Sequence, residues 1–201
     1  IKRNIINKQI NPSTKICNNL NILDVGCGGG LLCEPLSRLG GNVTGIDVSE
    51  NAIITAKQHA SKMGLKINYI CTSLEELNLK KDFDLIIASE VIEHVLDRKY
   101  FLKMIRKISS NKTSFIFTTI NKSIPSLLFG KFAAEYILNL IPKGTHDWEK
   151  FVTPQKLYIE ALENGIYLNN FSGLTPNIFK KEFNLTSYLG INYAASGIVR
   201  E

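Results

Sequence analysis

The feature that most constrains the fold is a regular alternation of short apolar runs with helical segments between residues 22 and 120. The apolar runs predict five strands, at 22–26, 42–47, 66–72, 83–89 and 114–120. Helices are predicted between them, at 31–39, from Ser49 to about Met63, and from about Asp97 to Ser109. Because parallel strands need crossover connections that are usually helical, this order predicts an α/β fold built on an open, mostly parallel sheet.

The stretch after residue 120 breaks this rhythm. Residues 123–151 are apolar around most of a helix, whereas 191–199 has the pattern of a late strand, which we place at the sheet edge. We therefore expect a single domain with a helical insert that lies over the carboxyl edge of the sheet. The domain is expected to span 1–201 and to contain a core at 22–120, the apolar insert or lid at 121–152, and a C-terminal completion of the sheet at 153–201.

Composition sets only broad limits on the class of protein. A chain of 201 residues with 44% hydrophobic content suits one globular domain. The net charge of +6 is compatible with an anionic ligand, an anionic membrane face or nucleic acid, but the lysines are scattered and favour none of them. The four cysteines form no C-x-x-C pair, so we expect reduced thiols in an intracellular compartment and no metal site built on them.

The ends and the hydropathy of the chain add two expectations. The sequence starts at Ile1 rather than Met, so we expect a processed or truncated form. It contains no uninterrupted run of about 18 apolar residues, so we predict no transmembrane helix.

The segment LDVGCGGG, residues 23–30, places glycines directly after the first predicted strand. In a doubly wound sheet, ligands bind beyond the carboxyl ends of the strands, so this loop indicates a ligand site. A dinucleotide fingerprint that starts at Gly26 requires glycine at position 31, where this chain has Leu31; a different nucleotide-like ligand is favoured. Asp47 ends the second strand and is placed to accept both hydroxyls of a ribose.

The motifs LDVGCGGG and GIDVS together resemble the class I methyltransferase fold, whose cofactor is S-adenosylmethionine. The resemblance implies a Rossmann-like, doubly wound sheet of seven mostly parallel strands with an antiparallel edge strand. It also implies that the loop lies against the methionine part of the cofactor, the second-strand acid holds the ribose, and the segment after the third strand covers the adenine. A glycine-rich turn without a cofactor and an NAD site are the alternatives. The implied cofactor-binding residues are Asp24, which would help place the methionine amine, with Gly26, Gly28, Asp47, Ser73, Leu74 and Ser89.

The sequence SEVIEHV, residues 89–95, follows the fourth predicted strand and contains three groups able to bind a metal. If Glu90 opens a helical turn, Glu93 and His94 share its face. A divalent ion held there lowers the pKa of a hydroxyl substrate and directs its oxygen toward the methyl carbon. Spacing alone leaves an alternative open, in which Glu90 touches the cofactor, His94 packs on the sheet and Glu93 is solvated, because Mg²⁺ prefers oxygen ligands.

Three motifs, EVIEHV, AEYIL and PKGTHDWEKF, closely resemble the ubiquinone-biosynthesis O-methyltransferases, and this resemblance runs from about Ile10 to the carboxyl end. Members of that family methylate polyprenylated catechol and demethylubiquinol intermediates. The resemblance implies S-adenosylmethionine as cofactor and a divalent metal, Mg²⁺ or another, at Glu90, Glu93 and His94.

The same resemblance implies partners and a location. The implied partners are a polyprenylated catechol or quinol substrate, a peripheral membrane contact and a ubiquinone-biosynthesis complex, with no nucleic acid. A eukaryotic source implies the matrix side of the mitochondrial inner membrane, and a bacterial source implies the cytoplasm with peripheral membrane contact.

The amino-terminal motif departs from the family. Ile10, Asn11 and Pro12 are retained, but Thr14 stands where the family has an arginine that is expected to help bind the cofactor, and Lys15 is the candidate substitute. This departure keeps open a non-catalytic cofactor-binding or assembly subunit. A methyltransferase for another small molecule or for nucleic acid also stays open, although SEVI lacks the D/N-P-P-Y-type motif of base-amine methylation. An NAD-dependent oxidoreductase is the last possibility.

The insert carries the remaining candidate for catalysis. His146 lies next to Asp147, and an imidazole oriented by a carboxylate is able to take a phenolic proton, so we predict His146 as the base. The alternative is that Asp147 caps a helix and His146 is simply hydrogen-bonded. With Lys131 and Lys143 near its ends, the apolar insert is predicted to rest on an anionic bilayer and admit an isoprenoid tail, unless it packs as core.

Overall fold

The computed structural model describes residues 16–78, 82–123, 126, 150–177 and 182–200. The predictions for Lys15, for His146 and for most of the insert at 121–152 lie outside these residues. Among those described, the strands are β1 (Asn21–Val25), β2 (Asn42–Asp47), β3 (Asn68–Cys71), β4 (Leu85–Ser89), β5 (Ser114–Ile120), β6 (Ile166–Asn177), β7 (Glu182–Thr186) and β8 (Asn192–Val199). The helices in the same residues are α1 (Cys33–Arg38), α2 (Glu50–Lys62), α3 (Arg98–Lys107) and α4 (Pro154–Glu163).

The strands form one sheet in the order β3-β2-β1-β4-β5-β8-β6-β7. The first five strands in chain order are parallel, whereas β8, β6 and β7 pair antiparallel to their neighbours. The predicted doubly wound, mostly parallel α/β architecture is therefore confirmed. The described sheet has eight strands rather than the expected seven.

The position of β8 in the sheet corrects a prediction. We expected this strand at the sheet edge, but it lies between β5 and β6 and pairs with both. Its side chains alternate between buried and half-buried positions along most of its length, which suits an internal strand. The outer position belongs to the β6–β7 hairpin, which the sequence pattern did not predict.

Local capping explains where the helices start. The Ser49 hydroxyl accepts a hydrogen bond from the Ala52 N–H at 3.3 Å, and Asp97 accepts one from the Tyr100 N–H at 3.0 Å, so both predicted starts are confirmed. Helix α4 begins in the same way, with Thr153 as its cap and proline at its first position. An ion pair between Arg98 and Glu160, with N–O distances of 2.9 and 3.0 Å, joins α3 to α4.

The two faces of the sheet carry separate apolar clusters. One includes Leu23, Phe115 and Phe117 with residues of α3 and α4, and the other includes Ile22 and Ile87 with residues of α1 and α2. Because successive side chains of a strand point to opposite faces, the adjacent residues Ile22 and Leu23 belong to different clusters. Within the part of the chain that the structure describes, no helix is long and apolar enough to cross a bilayer.

Candidate active site

A crevice of about 340 Å³ opens at the carboxyl ends of β1, β2 and β4. This is where a doubly wound sheet is expected to bind a ligand, and the volume suits a small molecule. The residues that line it are Val25, Gly26, Ile46, Asp47, Val48, Thr72, Ser73, Leu74, Glu75, Glu90, Val91, His94, Val95 and Phe101.

The glycine loop brings bare backbone to this crevice. Gly26 has φ +67°, and a Cβ placed on it would lie 2.5 Å from Cγ2 of Val91, so only glycine allows the turn after β4 to pack this close. Gly28 has φ +52°, and a Cβ added there would meet no heavy atom within 4 Å. The loop therefore leaves open space beside its backbone, which a ligand is able to fill.

Asp47 links this loop to the start of α2. Its Oδ2 accepts a hydrogen bond from the Gly28 N–H and its Oδ1 accepts one from the Ser49 N–H, both at 2.8 Å. Each carboxylate oxygen has a second lone pair, so the group is fixed in direction and still able to accept further hydrogen bonds. The structure confirms that Asp47 lies in the crevice, whereas its contact with a ribose stays a prediction.

The segment after β3 forms the neighbouring wall. Ser73 and Leu74 line it, as the sequence predicted, and the Leu74 side chain is buried. Thr72 and Glu75 line it as well and were not predicted, although they lie beside the predicted pair in the sequence. The contact of this segment with an adenine ring stays a prediction.

Three of the predicted cofactor-binding residues, Asp24, Gly28 and Ser89, do not belong to the lining of the crevice, although the Gly28 N–H donates to Asp47, which does. Asp24 is buried below the glycine loop, where its Oδ2 accepts a hydrogen bond from the Cys33 thiol at 3.1 Å. A hydrogen bond with Cys27, burial and the nearby Asp24 carboxylate raise the pKa of Cys33, which keeps the thiol protonated and able to donate. The predicted contact of Asp24 with the methionine amine, and that of Ser89 with the cofactor, stay predictions.

The segment 90–95 does not form the expected helical turn. Glu90 has φ +58°, outside the helical region, so the prediction that Glu90, Glu93 and His94 share one helical face is wrong. The Thr118 hydroxyl donates to Glu90 Oε1 at 2.8 Å, and the Thr119 hydroxyl donates to Glu93 Oε2 at 2.7 Å. Because consecutive strand residues point to opposite faces, the two carboxylates are held on opposite sides of β5.

Burial separates the three candidate ligands further. Glu90 and His94 line the crevice, whereas Glu93 is 2% exposed and faces the core, so the alternative of a solvated Glu93 is also wrong. The described residues contain no group of three or more His, Cys, Asp or Glu side chains placed to hold a metal ion. In this arrangement the three residues do not fit a single ligand set, and a bound divalent metal stays a prediction.

The charges around the crevice favour a cationic ligand. Three carboxylic residues line it, Asp47, Glu75 and Glu90, together with His94 and no lysine or arginine among the described residues. Carboxylates that share a cleft with apolar walls concentrate a negative potential there. Leu74 and Val91 supply apolar surface for a flat ring, so the site suits a ligand that combines positive charge with an aromatic group.

A family model and the likeness to solved structures define the fold. A model of the methyltransferase domain family matches residues 23–117. The chain is similar to magnesium protoporphyrin IX methyltransferase from Synechocystis PCC 6803, solved with bound SAH, with a TM-score of 0.69 and 18% identity over 100% of this chain and 82% of that one. It is also similar to the N-methyltransferase NodS from Bradyrhizobium japonicum, with a TM-score of 0.64 and 17% identity over 100% and 97% of the two chains. The fold is that of the S-adenosylmethionine-dependent methyltransferases.

Sequence relatives narrow this class to one family. The chain is 43% identical over 194 residues to the ubiquinone biosynthesis O-methyltransferase of Pelagibacter ubique. This alignment covers 96% of this chain and 81% of the relative. It is 40% identical over 194 residues to the enzyme of the same name from Rickettsia prowazekii, in an alignment that covers 96% of this chain and 77% of that enzyme. The chain belongs to the ubiquinone biosynthesis O-methyltransferase family and is an enzyme of the O-methyltransferase class.

Proposed function

We propose that the chain transfers the methyl group of S-adenosylmethionine to a ring hydroxyl of a polyprenylated catechol or demethylubiquinol in ubiquinone biosynthesis. The observation that carries this proposal is the family membership, which extends over nearly the whole chain. The acidic crevice supports it, since S-adenosylmethionine carries a sulfonium and an ammonium group. Nothing in the crevice favours the assembly-subunit alternative.

The residues of the crevice fit this cofactor. Asp47 would hold the ribose, Ser73 and Leu74 would flank the adenine, and the backbone of the glycine loop at Gly26 would lie against the methionine part. When bound, the cofactor supplies a methyl group that its sulfonium already activates. The protein then contributes mainly proximity and alignment, and its carboxylates bind the charged cofactor more strongly than a product that has lost the sulfonium charge.

An acceptor hydroxyl must lose its proton before or during the transfer. His146 is our candidate for the base and lies outside the described residues. Glu90 and His94 are the acid–base groups that the turn after β4 presents to the crevice. A dependence on a divalent metal is also part of the proposal, although Glu90, Glu93 and His94 do not form a single ligand set in this arrangement.

Methyl transfer tests the proposal. We expect wild-type enzyme with S-adenosylmethionine to methylate a short-tailed catechol, and to leave a matched phenol without the adjacent hydroxyl unmodified. Loss of product with a chelator, and recovery with Mg²⁺, would support the metal, whereas equal rates with and without chelator would contradict it. Cofactor binding without methylation of any catechol would favour the assembly subunit or a different acceptor.

We also propose that the crevice opens toward a membrane to which the enzyme binds peripherally. Three apolar side chains that follow β1, β2 and β4 at the carboxyl edge support this, since Leu31, Val48 and Leu96 are 78, 74 and 103% exposed. Contiguous exposed apolar patches mark interaction surfaces, and of these three side chains Val48 also lines the crevice. This contact would lie on the matrix side of the mitochondrial inner membrane in a eukaryote or on the cytoplasmic side in a bacterium, where a ubiquinone-biosynthesis complex would assemble.

Vesicle flotation tests the membrane contact. We expect Leu96→Asp to reduce several-fold the fraction of protein bound to vesicles with anionic lipid. The change removes apolar surface and adds a negative charge that the anionic lipid repels. Leu185→Asp is the matched control, since Leu185 is 67% exposed on β7 at the outer edge of the sheet. Equal loss in both variants, or in neither, would contradict this placement of the membrane-facing edge.

A further inference from the structure

Two consecutive residues of β5, Thr118 and Thr119, hold the segment 90–95 from both faces of the sheet. Thr118 contacts Glu90 twice: its hydroxyl donates to Oε1 at 2.8 Å and its carbonyl accepts from the Glu90 N–H at 2.9 Å. Since this hydroxyl has one proton and gives it to Glu90, the 2.9 Å contact between Ser89 Oγ and Thr118 Oγ1 has serine as donor. A chain of hydrogen bonds therefore runs from Ser89 through Thr118 to Glu90.

The backbone of Glu90 shows why such support is needed. A non-glycine residue with φ +58° is in a left-handed conformation that costs free energy, and such residues persist where the surroundings hold them in place. The two contacts with Thr118 supply that hold and aim the carboxylate at the crevice.

Thr119 holds the other end of the segment. Its side chain is 0% exposed and its hydroxyl donates at 2.7 Å to Glu93, which is 2% exposed. Glu93 also lies close to Tyr193, where burial first and the Glu93 charge second raise the pKa of the phenol. A carboxylate in such a place depends on the donors around it, so Thr119 fixes where Glu93 lies and with it the turn that carries His94.

Between the contacts with Thr118 and Thr119, the segment 90–95 packs directly against the glycine loop. Val91 packs against Gly26, and the His94 N–H donates to the Val91 carbonyl at 2.8 Å, which closes the turn. Glu90, Val91, His94 and Val95 together form one wall of the crevice. A displacement of Glu90 or Glu93 therefore moves side chains that face the crevice.

We infer that Thr118 and Thr119 act as a pair of positioning residues for this wall, Thr118 through Glu90 and Thr119 through Glu93. Neither threonine lines the crevice; they set the direction of the Glu90 carboxylate and the place of His94. The kcat measurement for Thr119 rests on the proposed methyl transfer. The affinity measurement for Thr118 needs only cofactor binding.

The test replaces each hydroxyl by a methyl group of similar size. We expect Thr118→Val to weaken S-adenosylmethionine binding, measured by calorimetry, by about tenfold, as expected when a charged group loses a hydrogen bond. We expect Thr119→Val to lower kcat with saturating cofactor and a short-tailed catechol by about tenfold, because the His94 turn loses its anchor. Thr118→Ser and Thr119→Ser keep the hydroxyl and should return each value to within about threefold of wild type.

Thr113→Val is the matched control for loss of stability. Thr113 lies just before β5 at the opposite end of the strand, is 0% exposed, and donates to the Phe83 carbonyl at 2.7 Å, so this change also removes a buried hydrogen bond. It should lower the melting temperature while cofactor affinity and kcat stay those of wild type.

Three results would overturn the inference: valine variants that match Thr113→Val in affinity and kcat, an effect at only one of the two threonines, or serine variants that restore neither value. Wild-type enzyme that binds the cofactor but methylates no catechol would refute the proposed function. In that case the cofactor affinity of Thr118→Val still tests whether Thr118 positions the crevice wall.

Discussion

Asp47→Asn is expected to weaken S-adenosylmethionine binding by at least about a hundredfold, because two hydrogen bonds to a charged group are disturbed together. The carboxylate accepts from the Gly28 N–H and the Ser49 N–H, one on each oxygen. An asparagine amide keeps one accepting oxygen, so its NH₂ group would face one of these two N–H donors. The loop and the start of α2 would separate, and a ribose would lose its acceptor. Isothermal titration calorimetry measures the affinity.

Asp84→Asn is the control for this change. Asp84 Oδ2 accepts a hydrogen bond from the Asn21 N–H at 2.8 Å, the same kind of contact, at the amino edge of the sheet away from the crevice. We expect this variant to bind the cofactor as wild type does. A similar loss of affinity in both variants would mean that Asp47 acts through general stability and not through the ligand.

Gly26→Ala is expected to have the largest effect on folding. The alanine would have to keep φ +67°, which strains its backbone. Its Cβ would also lie 2.5 Å from Val91 Cγ2, which is a clash. Together these cost about 2 kcal/mol or more of the free energy of unfolding, which urea denaturation measures. Cofactor affinity should fall as well, because Val91 forms part of the crevice wall.

Two further variants separate the clash from the strain. Gly26→Ala combined with Val91→Ala removes the clash and should recover part of the loss, while the cost of the left-handed backbone, about 1–2 kcal/mol, remains. Gly29→Ala has open space around its added Cβ and no positive φ, so its unfolding free energy should stay within about 0.5 kcal/mol of wild type. Equal destabilisation at Gly26 and Gly29 would contradict the packing described here.

The parallel half of the sheet was predictable because its signals are local. Continuous apolar runs such as LIIAS mark strands covered on both faces, and Ser49 and Asp97 mark helix starts within a few residues. The crevice followed from these elements, since the carboxyl ends of parallel strands meet at one edge. Asp47, at the end of the second predicted strand, lies in this crevice, as do Ser73 and Leu74, which the resemblance to class I methyltransferases implied.

The features that were missed depend on distant or weak signals. Strand β6 contains Gly173 and Pro176, residues that are unfavourable in strands, and its pairing with β7 shows only in the folded sheet. Glu93 accepts a hydrogen bond from Thr119, 26 residues further along the chain, and no local pattern reveals that contact. Helix α4 was missed although Thr153 and Pro154 carry a readable start signal.

The most direct test of the proposed chemistry follows a labelled methyl group through one turnover. Wild-type enzyme is loaded with S-adenosylmethionine that carries a deuterated methyl group and mixed with a short-tailed catechol, and mass spectrometry locates the label. We predict that the label appears on a ring oxygen, and that Asp47→Asn at the same cofactor concentration yields little product while Asp84→Asn yields as much as wild type. Label that stays on the bound cofactor, or that reaches a ring carbon, would contradict the assignment of this crevice to O-methyl transfer.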